Sequence, residues 1–79
     1  MNWRDRIVSN PDILIGKPTI KGTRVSVELL LDRLADGWSS TDIVDSYPNI
    51  THEDVQAALM FVSEIYKEES FVALDKART

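Results

Sequence analysis

Cysteine is absent from the 79 residues, which excludes a disulfide staple, a thiolate nucleophile and a thiolate-held metal. Histidine occurs once, at His52, so a histidine-based metal cluster or catalytic dyad is excluded as well. Glycine is scarce too, and the pair Gly16-Lys17 fails as a phosphate loop. The first glycine of such a loop would stand where Pro11 is, and Pro18 takes the place of the required Ser or Thr. Long apolar runs are missing. Leu29–Leu31 and Ala57–Val62 fall far short of the ~20 residues that span a bilayer. Met1 is followed by Trp3, Arg4, Asp5 and Arg6 without the apolar stretch of a signal peptide. A soluble cytoplasmic protein with no membrane contact is the expectation. Acid pairs such as Asp42/Asp45 and Glu68/Glu69 have no nucleophile or positioned base beside them, and a chain this short leaves little volume for a cleft. Neither an enzyme nor a cofactor is expected.

The charge is uneven. Residues 1–25 carry Arg4, Arg6, Lys17, Lys21 and Arg24 against Asp5 and Asp12, whereas residues 26–79 carry eleven acids and four bases, and the whole chain is −4. An acidic whole disfavours non-specific contact with nucleic acid, while a basic front end leaves room for a local one.

Three units are expected in one structural domain: a β-arm or hairpin over 1–25, a trihelical core over 26–68, and a tail over 69–79. In the first, the apolar run Ile13-Leu14-Ile15 and the alternating Thr19-Ile20-Lys21, punctuated by Gly16-Lys17-Pro18, suggest two paired strands. In the second, Ser26 is a candidate N-cap for a helix carrying Val27, Leu30, Leu31 and Leu34, which Gly37 stops. Ser39 begins a capping-box-like Ser-Ser-Thr-Asp before Ile43, Val44 and Tyr47, and Pro48 ends that helix. Thr51 begins a similar Thr-His-Glu-Asp. Val55, Ala58, Leu59, Val62, Ile65 and Tyr66 then form an apolar stripe at the helical period as far as about Glu68. The fold class is therefore mainly α: a trihelical, helix-turn-helix-like bundle with an N-terminal β element.

The segment Asp12 to Val25, with Gly16-Lys17-Pro18 and Gly22-Thr23-Arg24, resembles the opening of a small bacterial family, domain of unknown function 433. A second motif follows in order: Pro48, Ile50, Thr51, Glu53, Asp54, Val55, Ala57, Ala58 and Leu59. The similarity spans about residues 7 to 66. It implies a homeodomain-like or winged-helix-like trihelical fold. It also implies a VapB-type antitoxin, whose partner would be a PIN-like nuclease toxin and which would also contact operator DNA.

Candidate residues fall into two groups. Arg4, Arg6, Lys17, Lys21 and Arg24 would form a basic arm against phosphates, or would be solvated edge residues that discourage aggregation. Arg24 could instead pair with Glu28 or Asp32. His52 and Gln56, at the start of the third helix, would face a major groove, although Glu53 and Asp54 there suit a helix N-terminus better than a phosphate backbone. The second group is apolar. Leu29, Met60 and Phe61 fall off or at the margin of the helical stripes, with Ala57 one turn away. Phe71, Val72 and Leu74 follow in the tail. Such residues would grip a protein partner, or would pack on the core. Homodimerisation, binding of a nuclease toxin and binding of operator DNA are the expected associations. A stand-alone DNA-binding regulator and a pure oligomerisation module are the alternatives.

Overall fold

Two short strands and three helices follow one another along residues 1–68, the part that the computed structural model describes. Strand β1 (Ile7–Ser9) pairs antiparallel with β2 (Pro18–Ile20), setting Ile7 opposite Ile20 and Ser9 opposite Pro18. Helices α1 (Val27–Ala35), α2 (Ser40–Ser46) and α3 (His52–Glu68) follow. The mainly α, trihelical architecture with an N-terminal β-hairpin is therefore as expected.

The helix boundaries follow from local chemistry. The Ser26 hydroxyl accepts the Leu29 amide at 2.9 Å. Ser39 and Asp42 complete a reciprocal capping box, each side chain accepting the other's amide. Thr51 and Asp54 do the same for α3, so aspartate serves in both boxes where Glu or Gln is usual. At the end of α1, Gly37 takes a φ of +95°. The amides of Gly37 and Trp38 turn back to the carbonyls of Leu34 and Arg33, which makes a Schellman stop.

One strand lies elsewhere than expected. Ile13-Leu14-Ile15 forms no strand, because Leu14 and Ile15 leave the extended region, and β1 is supplied by Ile7–Ser9. The physical reason is access to the core. Ile7 stands opposite Ile20 and both are buried in the core, whereas Leu14 and Ile15 are left exposed. Leu14, Ile15 and Gly16 instead form a tight turn in which all three φ angles are positive, at 51°, 56° and 77°. For a non-glycine residue that conformation costs roughly 1–2 kcal/mol. Local bonds hold it. The Gly16 and Lys17 amides donate to the carbonyls of Ile13 and Leu14, and the Ser9 hydroxyl donates to the Gly16 carbonyl.

The core comprises Ile7, Ile20, Val27, Leu30, Ile43, Ile50, Val55, Ala57 and Ala58. Here α3 differs from its apolar stripe in two ways. Ala57, expected near a partner surface, is fully buried, while Leu59, Ile65 and Tyr66, expected inside, are exposed. The chain before β1 accounts for the shift. Its turn Trp3–Asp5 packs on the flank of α3, where the Trp3 ring meets Phe61 edge-on at 4.8 Å and the Trp3 indole N–H donates to Glu64. Ala57, one turn before Phe61, is fully buried, while Leu59 and Met60 stay exposed.

Candidate functional site

Salt bridges tie much of the N-terminal basic arm to the chain's own acids. The Arg6 guanidinium spans the start of α3, 2.6 Å from Glu53 and 3.0 Å from Asp54. Arg4 stacks over the Trp3 ring and reaches Glu64 at 3.0 Å. Lys17 meets Glu28 at 3.2 Å, so Glu28 takes Lys17 as its partner and not Arg24. Lys21 and Arg24 are exposed and form no salt bridge with a described residue. Three of the five expected phosphate contacts are thus already neutralised within the molecule. A nucleic acid would have to displace these pairs before gaining from them.

The start of α3 is also committed locally. His52 Nδ1 and the Ser40 hydroxyl share a 2.8 Å hydrogen bond that links α3 to α2. Gln56 is exposed one turn on, beside Met60, Ser63 and Lys67. The carboxylates of Glu53 and Asp54 share that end, and the Asp54 side chain is nearly buried between the Thr51 amide and Arg6. These acids complement the helix N-terminus and oppose a phosphate backbone.

Hydrogen bonding at two further points moves carboxyl groups off their ordinary values. The Trp3 indole, and then Arg4, hold the Glu64 carboxyl below its usual range. The Ser39 amide, and then its hydroxyl, do the same for Asp42. Both shifts favour the ionised form. Both carboxyls lie in structural joints, Asp42 in the α2 capping box and Glu64 under the Trp3–Asp5 turn.

Apolar surface is the more distinctive feature. Beyond the core, α3 exposes Leu59 at 46 %, Met60 at 38 % and Ile65 at 42 %, and Val62 on the same stretch is only half-buried. Phe61 is half-buried under Trp3 and so belongs to the arm–helix joint. Leu29 is half-buried and lines a separate groove with Leu14 and Ile15. Phe71, Val72 and Leu74 lie outside the described residues, as does the 69–79 tail as a unit. Among the described residues, no three of His, Asp and Glu gather as a metal would need, and no helix is long and apolar enough to cross a membrane. Sequence reasoning missed Leu59 and Ile65, whose periodicity is that of a core stripe. It also missed Ile15, whose apolar run resembles a strand.

The family model described as "Protein of unknown function (DUF433)" matches residues 7–62. The chain belongs to the DUF433 family. Among solved structures, it is similar to a DUF433 member protein from Anabaena variabilis ATCC 29413, with a TM-score of 0.74 and 25 % identity. That match covers 82 % of this chain and 64 % of the other. Among curated proteins, it is 33 % identical over 58 residues to the uncharacterised protein y4eO of Sinorhizobium fredii (strain NBRC 101917 / NGR234). The chain spans about a quarter of that relative's length. The DUF433 match begins at β1 and ends within α3, so it contains both capping boxes and the turn at Gly16. The Trp3–Asp5 turn, which covers the flank of α3, precedes it.

Proposed function

We propose that this DUF433 protein is a protein-binding antitoxin that occludes a nuclease toxin with the exposed flank of α3 around Leu59 and Met60. The observation that carries this reading is the adjoining pair Leu59 and Met60, two large apolar side chains left in solvent on the flank of α3 that they share with Gln56, Ser63 and Lys67. Covering what remains exposed of each contributes about 1 kcal/mol. A long helix offering such a face is suited to a partner's groove. Charge supports the choice of partner class. The chain is −4 overall, with its acids concentrated after residue 25, and a nuclease must be basic where it holds nucleic acid. Opposite fields steer the two together. Inhibition is by coverage and needs no chemistry from this chain. The complex would act in the cytoplasm, where the nuclease finds its substrate.

Co-expression with a PIN-like nuclease toxin tests the reading. The expected result is a complex that co-elutes on size exclusion and relieves growth arrest. The double substitution Leu59→Asp/Met60→Asp weakens that complex at least tenfold while leaving the helical circular-dichroism spectrum unchanged. Separate elution with unrelieved toxicity refutes it.

A stand-alone DNA-binding role has one observation in its favour, the exposed Lys21 and Arg24, which form no salt bridge with a described residue. It predicts DNA binding with a steep salt dependence, lost when Lys17, Lys21 and Arg24 are all changed to Ala. Binding that survives the triple change removes the basic arm from the mechanism.

A further inference from the structure

Ile15 is 95 % exposed, more than any other large apolar residue described. It is also β-branched and held in the left-handed region at φ 56°, directly after Leu14 at φ 51°. Exposure and strain are separately unfavourable, and their coincidence at a turn tip marks a contact surface more than a folding requirement. Beside the tip runs an open groove of about 430 Å³ in which Leu14, Ile15 and Leu29 supply the apolar wall, while Lys17, Glu28 and Asp32 supply both signs of charge.

We propose that this patch is the contact between two copies of the chain, each seating its Ile15 in the groove of the other. Projection and recess belong to one patch, so a single two-fold axis satisfies both at once, as an isologous contact requires. The charges are self-complementary in the same sense. Lys17 meets Glu28 only through an exposed pair, and Asp32 forms no salt bridge with a described residue. A two-fold arrangement sets Lys17 of one copy against Asp32 of the other. A standard interface takes roughly 20–30 residues a side. This patch is smaller, so the dimer is weak and forms only at high protein concentration. The proposal is independent of the antitoxin reading, because it uses the turn and α1 and leaves the flank of α3 around Leu59 and Met60 free.

Sedimentation velocity of the full chain alone, from about 1 µM to about 1 mM, tests it. The wild type is expected to pass from monomer to dimer across that range. Ile15→Asp should remain monomeric throughout, since it places a charge at the tip with no loss of buried surface. Ile15→Gly, which keeps the turn and removes the projection, should weaken association at least tenfold. Met60→Asp should associate like the wild type. A wild type that stays monomeric at every concentration overturns the proposal. So does an Ile15→Asp variant that still dimerises, or a dimer lost in Met60→Asp and kept in Ile15→Asp, which would move the contact to α3.

Discussion

Replacing Ile15 by Gly sets the backbone of this turn against its side chain. A left-handed conformation costs an L-residue roughly 1–2 kcal/mol, and glycine does not incur that cost. Against this, glycine's greater freedom in the unfolded chain costs about 0.5–1 kcal/mol. Burial contributes almost nothing to the balance, because the Ile15 side chain is 95 % exposed. The Ser9 and Gly16 contacts that shape the turn are unaffected, since none uses the Ile15 side chain. The net expectation is a gain of roughly 0.5–1 kcal/mol, which for a domain of this size raises the melting temperature by about 2–8 °C. Thermal denaturation followed by circular dichroism, at a concentration low enough to keep the protein monomeric, measures it. A fall of several degrees refutes the reasoning. It would mean that the Ile15 side chain stabilises the fold through contacts its exposure denies.

Two further substitutions probe the joints that place α3. Asp54→Ala removes the acceptor of the Thr51 amide and one of the two carboxylates on Arg6. It should cost about 2 kcal/mol, and a melting temperature unchanged within a degree or two would show the capping box to be dispensable. Glu64 gives a pH signature. Its folded-state pKa lies below the ordinary 4.5 because Trp3, and then Arg4, bind the ionised form. A depressed carboxylate stabilises the fold at pH values above its unfolded pKa, and that stability is lost as pH falls through the folded value. The melting temperature of Glu64→Gln should therefore lie below that of the wild type near neutrality and approach it as pH falls below 4.5 and through the folded-state value. A difference that stays constant with pH would mean that the pair does not form.

Helix limits were legible in the sequence because they depend on neighbours in the chain. Ser26, Ser39 and Thr51 each reach an amide three residues on, and Gly37 alone suits the positive φ that ends α1. The choice of strand was less legible. Ile13-Leu14-Ile15 has the composition of a strand, yet it is Ile7–Ser9 that pairs with Pro18–Ile20 and buries Ile7 in the core. The candidate surfaces were legible in part. Met60 is exposed as its wheel position implies, whereas Ala57 is buried one turn from Phe61, on which Trp3 packs from far away in sequence. The same distance explains the basic arm. Arg4 and Arg6 are unremarkable cations until folding brings them to Glu64, Glu53 and Asp54.

By itself the sequence determined three capped helices, their order, the glycine stop after α1 and the two motifs of the DUF433 family. These follow from hydrogen bonds and periodicities that span a few residues. Only the tertiary structure decided which side of α3 is dry, which cations are already paired and that an isoleucine stands in solvent at a left-handed turn. Those outcomes depend on which distant segment arrives to cover a surface, and no local pattern encodes that arrival.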